Sequence, residues 1–310
     1  SNYVNDPAVH QRIDPAIYEL QVRHLLRTLR GHACVIGWMG GNELRVDEIA
    51  GSTLSPLLDL AERAVQELDP DSQRRWWRSS YTMESGMTDE YDHYGRCHSR
   101  ESILAELLDS EPRFAVEYFP HHAMVVPDLR SLARFAPGAL AQWPPPNWTH
   151  LRRINGGEKD QTYLEGTLPS EADPRTAAPY QSWEELAYYT QTHALVQIEA
   201  MLGNWRGRGP AHAGSNLWHA HDQQPMLSWG LVDYYRAPKG LYYGCKRGLA
   251  PVRVVMKYTR PSRDVRERLR GWVRVINSST EELRDYRVDL RFYNEALREI
   301  LHVGPEGANP

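Results

Sequence analysis

Residues 33–43 read ACVIGWMGGNE, a short apolar run that ends in two glycines and a polar Asn-Glu pair. The run predicts a buried strand over residues 33–38, and the glycines predict a tight turn directly after it. Amphipathic patterns bounded by helix-capping signals predict one helix before the strand, over about residues 14–31, and another after it, over about residues 55–70. Helix, strand, polar loop and helix therefore form one alternating unit.

The same alternation continues along the chain. Further strands are predicted over residues 75–81, 114–118 and 215–220, and further helices over about residues 101–108, 128–135, 182–205 and 238–249. Alternating strands and helices are typical of a parallel sheet covered by helices, so the fold class is α/β. Residues 136–180 are rich in Pro, Gly and Asp and interrupt the alternation, which predicts a long loop or insertion there.

The hydrophobic period changes to two after Pro251. Val252, Val254 and Met256 alternate with other residues, and a similar alternation covers residues 287–292. This pattern is typical of antiparallel sheet with one face in contact with water. We therefore expect a new β domain to begin near residue 250, with the three named side chains on its buried face.

Composition narrows the class of function. The 310 residues include 36 Lys and Arg against 40 Asp and Glu, for a net charge of −4, which predicts no nucleic-acid and no membrane partner. Cys34, Cys97 and Cys245 are far apart and lack CxxC spacing, so neither a zinc knuckle nor a disulfide framework is encoded. Ten Trp and 17 Tyr against four Phe supply aromatic rings with a polar group, which suit a partly hydrated ligand groove.

Two glutamates lie where a ligand would bind in an α/β fold, at the carboxyl ends of predicted strands. Glu43 follows the first strand, and Glu117 lies within the apolar run 114–119. An ionised side chain in such a run is costly unless it is paired or functional, and Arg113 is one possible partner. Two carboxylates that flank a glycosidic bond are what glycoside hydrolysis requires.

Three segments resemble glycoside hydrolase family 2, and its β-mannosidase branch most of all. They are the Asn42-Glu43 dipeptide, residues 112–118 (PRFAVEY), and residues 214–222 (GSNLWHAHD) with the 228–235 and 238–243 segments that follow. The resemblance implies a (β/α)8 TIM barrel whose fourth to eighth strands lie in residues 1–250. It also implies that residues 251–310 begin an immunoglobulin-like β-sandwich, and that the first barrel strands and the N-terminal domains are absent from this chain.

The resemblance also implies roles for individual residues. Glu117 would be the nucleophile and Glu43 the general acid/base of a retaining mechanism. Asn42 would bind the sugar 2-hydroxyl, and Trp218 would form the floor of the sugar subsite. No metal and no organic cofactor is implied, and the expected partner is an oligosaccharide or glycoconjugate cleaved at its non-reducing end.

Two further substrate-binding residues, His93 and Tyr94, are expected where the family's sixth strand ends, although a structural role fits them equally well. The chain departs from the family pattern at several positions. Val116 replaces the usual Ser before the nucleophile, and His221 stands where mannosidases tend to have Asn. These differences leave exo-β-glucosaminidase and endo-β-mannosidase open as alternatives.

Two other classes of function stay open. His219 and His221 are two apart, so a strand would direct both imidazoles to one face, and with Asp222 and the His121-His122 pair they could hold a metal. A metal-dependent hydrolase is therefore an alternative. A non-catalytic carbohydrate-binding relative is another, although the presence of both Glu43 and Glu117 argues against it.

Overall fold

A computed structural model describes residues 13–41, 54–70, 74–79, 114–118, 127–143, 181–225, 227–258, 271–294 and 296–304. The predicted helix over residues 101–108 and most of the predicted insertion, residues 144–180, lie outside these ranges. No helix among the described residues is both long enough and apolar enough to cross a membrane.

Helices and strands occur in the predicted order. The described helices are α1 (Pro15–Leu29), α2 (Leu54–Leu68), α3 (Leu129–Phe135), α4 (Trp183–Arg206) and α5 (Gly240–Gly248), with single 3-10 turns at Ala139–Ala141 and Gly209–Ala211. The described strands are β1 (Gly37–Met39), β2 (Arg75–Trp77), β3 (Phe114–Tyr118), β4 (Gly214–Leu217), β5 (Val252–Tyr258), β6 (Gly271–Asn277), β7 (Leu290–Tyr293) and β8 (Glu299–Val303).

These elements fall into two compact units. The first contains α1, α2 and strands β1 to β4, and the second contains α3 to α5 and strands β5 to β8. The domain boundary predicted near residue 250, between the barrel segment 1–250 and the sandwich segment 251–310, stays a prediction.

In the first unit, α1 and α2 pack together beside β1. Asp14 caps α1 by accepting a 2.8 Å hydrogen bond from the Ala16 amide, and Pro15 at the first helical position has no amide to satisfy. Leu26 of α1 and Ala64 of α2 pack against Trp38 of β1, all at 7% exposure or less. This burial explains the apolar run in which β1 lies.

The two short sheets of the first unit are parallel, as the alternation predicts. Gly37 to Met39 pair in register with Arg75 to Trp77, and β3 pairs with β4. Strand β1 was predicted to begin at Ala33, which is wrong. A hydrogen bond from the Val35 amide to the His32 carbonyl closes a turn there, so those residues are unavailable to the sheet.

The second unit is built on the long helix α4. Ser182 caps it as predicted, accepting a hydrogen bond of 3.2 Å from the Glu185 amide. Leu132, Trp183, Leu186 and Leu227 form the core at its amino-terminal end. Helix α5 packs closely against α4, because a Cβ at Gly244 would lie only 2.6 Å from the Leu195 carbonyl oxygen.

Strands β5 and β6 form an antiparallel hairpin, as the period of two predicts, but the opposite face is buried. Val255 is 6% exposed and packs beside α4, where Gly203 and Gly207 leave room for its side chain. Val252, Val254 and Met256, the expected core residues, are 46 to 48% exposed. An alternating pattern identifies the two faces of a strand, but the position of α4 decides which is covered. Strands β7 and β8 are also antiparallel.

This burial predicts that a polar substitution lowers stability at Val255 but has little effect at the adjacent Val254. Val255→Thr keeps shape and β propensity but places a hydroxyl where no water reaches, so we expect the free energy of unfolding to fall by about 1–3 kcal/mol. Val254→Thr is the matched control, and we expect a change within about 0.5 kcal/mol. Urea unfolding followed by circular dichroism measures both, and equal losses would contradict the assigned face.

Candidate active site

Glu117 and Trp218 lie at the same edge of one pair of strands. Strands β3 and β4 run parallel, with Ala115 opposite Ser215 and Tyr118 opposite Leu217. Glu117 is the penultimate residue of β3, and Trp218 directly follows the last residue of β4. Because the carboxyl ends of parallel strands meet at one edge, the backbone brings together two residues that were predicted from distant segments.

The pairing is irregular at the predicted nucleophile. From Ala115 to Tyr118 strand β3 advances by three residues, while β4 advances by only two between their partners, Ser215 and Leu217. One extra residue therefore lies in β3 over residues 116–117. Such bulges bend the backbone of a strand, and they are common beside active sites.

Trp218 presents an indole at this edge. Its side chain is 46% exposed, and the ring of His219 contacts it edge to face, with centroids 5.4 Å apart. A half-exposed indole offers an apolar face beside a polar N–H group. Its exposure is compatible with the predicted role as the floor of a sugar subsite, and that role stays a prediction.

The other predicted site residues lie outside the described ranges. Asn42 and Glu43 follow β1, whose pairing is extended by a 2.8 Å hydrogen bond from the Gly40 amide to the Trp77 carbonyl. His93 and Tyr94 belong to a segment that is likewise outside the description. Their assignments to substrate binding and catalysis remain predictions.

The strand that was expected to carry His219 and His221 ends too early. Strand β4 stops at Leu217 rather than Ala220, so the two imidazoles do not share a strand face. His219 is half-buried and His221 is exposed. Within the described residues, no group of three or more His, Cys, Asp or Glu side chains could hold a metal ion. His121 and His122 lie outside those residues.

A buried ion pair follows Trp218 by four residues. Lys239 Nζ lies 2.6 Å from Asp222 Oδ2, and both side chains are fully buried. Lys239 Nζ also donates to the Ser228 carbonyl at 3.0 Å and to its hydroxyl at 3.1 Å. The other oxygen of Asp222 accepts hydrogen bonds from the Ser228 hydroxyl and the Gly230 amide. Each charge is thus both paired and hydrogen-bonded, which a buried charge requires.

The position of Lys239 disfavours a positive charge, and only its acidic neighbours favour one. It is the N-cap residue of α5, where the helix dipole disfavours a cation. Burial lowers the pKa of its ammonium group, while Asp222 and Asp233 raise it. The carboxylates therefore provide the opposing contribution that favours the charged form. Lys239 has no predicted role, although a lysine just before a predicted helix could have signalled a buried acidic partner.

Comparison with known proteins identifies relatives. No protein-family model matches the chain. Beta-mannosidase B of Emericella nidulans is 25% identical over 289 residues, covering 82% of this chain and 31% of that protein. Beta-mannosidase B of Thermothelomyces thermophilus is 34% identical over 124 residues, covering 34% of this chain and 14% of that protein. The chain spans less than a third of the length of these relatives.

A solved β-D-mannosidase from Dictyoglomus thermophilum shares the fold. Its TM-score is 0.63 at 17% identity, over 94% of this chain and 36% of that one. The chain thus has the fold of the matched part of that enzyme, which supports the predicted α/β class. The predicted resemblance to β-mannosidases is therefore confirmed, both by sequence similarity and by fold. The complete barrel and the immunoglobulin-like sandwich stay predictions.

The buried pair predicts that removing one of its charges lowers stability more than removing both. Lys239→Met leaves Asp222 buried without a counterion, and we expect it to lower the free energy of unfolding by about 3–5 kcal/mol. Adding Asp222→Asn removes both charges and should recover much of that loss. Lys246→Met, on the exposed side of the same helix, is the matched control and should change stability by less than about 0.5 kcal/mol. Urea titrations give all three values, and a Lys239→Met protein as stable as the control would refute the ion pair.

Proposed function

We propose that the protein is a retaining exo-β-glycosidase, most similar to β-mannosidases, that releases a sugar from the non-reducing end of an oligosaccharide or glycoconjugate. The observation that carries the proposal is the parallel pairing of β3 and β4, because its carboxyl edge includes Glu117 and is followed by Trp218. Support also comes from the relatives, which are themselves named β-mannosidases.

The proposed reaction has two displacements. The Glu117 carboxylate attacks the anomeric carbon, the glycosidic C–O bond breaks, and Glu43 donates its proton to the leaving oxygen. Glu43, now ionised, takes a proton from water, whose oxygen attacks the same carbon and releases Glu117 from the glycosyl ester. This mechanism requires the two carboxyl groups to be about 5–5.5 Å apart, so that repulsion keeps Glu43 protonated until Glu117 is esterified.

The remaining site residues bind the sugar in this proposal. An Asn42 amide that donates to the 2-hydroxyl binds more tightly in the oxocarbenium-like transition state, and such differential binding lowers the barrier. The Trp218 indole supplies a platform for the apolar face of the ring. His93 and Tyr94 add polar contacts to other hydroxyl groups.

Two related activities are alternatives to the proposed exo-β-mannosidase specificity. Exo-β-glucosaminidase and endo-β-mannosidase activities fit the same catalytic pair, because the departures at Val116 and His221 concern the surroundings of the reaction centre. Initial rates on aryl β-glycosides of mannose, glucose, galactose and glucosamine, with a β-mannan as endo substrate, separate these possibilities. We expect the aryl β-mannoside to be hydrolysed fastest.

The two glutamates predict distinct kinetic defects. Glu117→Gln removes the nucleophile, and we expect turnover of every substrate to fall by about 10⁴-fold or more. Glu43→Ala removes proton donation, worth about 10²–10⁴-fold on a natural glycoside. An aryl leaving group that needs little protonation should still be released rapidly from Glu43→Ala in a first burst. Stopped-flow measurement of aryl release tests both variants.

Glu67→Gln is the matched control, since Glu67 is a 56% exposed glutamate on α2 whose loss should leave turnover within twofold. Near-normal turnover by Glu117→Gln would contradict the assignment. Activity that survives Glu117→Gln but is abolished by a chelator would instead favour a metal-dependent hydrolase. Glycan binding without any turnover in the full chain would favour a non-catalytic relative.

A further inference from the structure

We propose that Phe114 and Gly214 are positioning residues that fix the register of β3 against β4, because the ring of the phenylalanine covers the glycine. They thereby set which residues reach the carboxyl edge that includes Glu117 and is followed by Trp218. Their importance for a sugar site rests on the proposed function. The register itself depends on described residues of the first unit, and it can be measured without turnover.

Phe114 and Gly214 are opposite each other at the start of the paired strands. A Cβ on Gly214 would lie 2.8 Å from Cε2 and 3.3 Å from Cδ2 of the Phe114 ring. Nonbonded carbon atoms attract each other best at about 3.5–4.0 Å, so the ring occupies the space that any other side chain would need. The φ of Gly214 lies outside the left-handed region, so the backbone conformation does not require a glycine. The close approach of the ring does.

This contact discriminates between registers. Gly214 is the only glycine in residues 211–219. A shift of β3 by one residue would place the Phe114 ring opposite Ala213 or Ser215, and each of these has a Cβ. A larger shift within residues 211–219 meets the same obstacle. An aromatic ring that covers a glycine on the adjacent strand is a recognised way to fix a register. The observed register is therefore the one that gives the ring room.

A register error would change the candidate site. Residues in a strand are about 3.3 Å apart, so a shift by one residue would move the backbone of Glu117 by that distance relative to Trp218. The same shift would exchange the two faces of β3. Strand β4 has four residues, so it offers few other side chains to define the register. The pair at Phe114 precedes the bulge over residues 116–117, and it decides which residues of β3 follow toward the edge.

The role of the pair is positioning rather than catalytic. Phe114 lies three residues before Glu117, and Gly214 lies four residues before Trp218. At the rise of a strand these separations are about 10 Å and 13 Å, too far for contact with a sugar bound at the carboxyl edge. Any influence on the sugar site must therefore pass through the strand pairing.

The first test measures the register by cross-linking in the full chain. Ala115→Cys/Ser215→Cys places two thiols at opposite positions, and Ala115→Cys/Asn216→Cys places them one residue out of register. We expect oxidised glutathione to close the 115–215 disulfide at least about tenfold faster than the 115–216 disulfide, because side chains one residue out of register lie on opposite faces. Peptide mapping separates these bonds from any that involve the three native cysteines. Equal rates would contradict the register.

Gly214→Ala then tests what fixes the register. The added methyl group meets the ring, so we expect the 115–215 disulfide to form at least about fivefold more slowly. Adding Phe114→Val removes the two nearest ring atoms and keeps a strand-forming residue, so it should restore the rate to within about twofold. Gly31→Ala is the matched control, because a Cβ there has nothing within 4 Å, and it should leave the rate unchanged. An unaffected rate in Gly214→Ala, or no recovery with Phe114→Val, would overturn the proposal.

The second test is kinetic, on the best aryl β-glycoside at a temperature where circular dichroism shows each variant to be folded. Misplacement by an ångström costs up to about 10²-fold, so we expect Gly214→Ala to lower kcat/KM by about 10- to 100-fold and to raise KM. Adding Phe114→Val should return kcat/KM to within about fivefold of the unmutated chain. Loss of folded protein alone would lower kcat and leave KM unchanged, and that result would overturn the positioning role.

Failure of the proposed function has a different signature. If the unmutated chain hydrolyses none of the aryl β-glycosides, the glycosidase proposal fails. The cross-linking rates still decide whether Phe114 and Gly214 fix the register of β3 against β4, because they require no substrate.

Discussion

The parallel pairing of β3 with β4 is the constraint on which the site depends. Parallel strands require a long crossover, and here about a hundred residues separate Glu117 from Trp218 along the chain. Hydrogen bonding between the strands places both at one edge, although neither segment specifies the other locally. The extra residue in β3 falls at residues 116–117, so the local irregularity coincides with the residue expected to react.

The buried Lys239–Asp222 ion pair is a second constraint, and it acts within the second unit. The Lys239–Asp222 pair is costly to bury and is satisfied only in one arrangement with Ser228 and Gly230. An apolar contact of similar volume would tolerate more slippage, because it has no fixed direction.

The sequence correctly predicted the features that depend on interactions between neighbouring residues. Asp14-Pro15 and Ser182 mark helix starts because capping is satisfied within a few residues, and the change of period after Pro251 marks the change from parallel to antiparallel sheet. Two predictions about strands were wrong. A local turn at His32 to Val35 shortened β1, and tertiary packing of α4 covered the Val255 face of β5 rather than the expected one. The ion pair of Lys239 could not be predicted from local sequence, because its partner Asp222 lies 17 residues away along the chain. The positions of Asn42, Glu43, His93 and Tyr94 stay predictions.

The central claim is that Glu117 forms a covalent bond to the sugar. A 2-deoxy-2-fluoro-β-mannosyl fluoride tests it, because fluorine at C2 destabilises the oxocarbenium-like transition states of both steps while the reactive leaving group keeps the first step feasible. We predict that the full chain gains the mass of one fluorosugar as activity is lost, and that peptide mapping finds the ester on Glu117. An adduct on a different residue, or inactivation without any adduct in a protein that hydrolyses aryl β-mannosides, would contradict it.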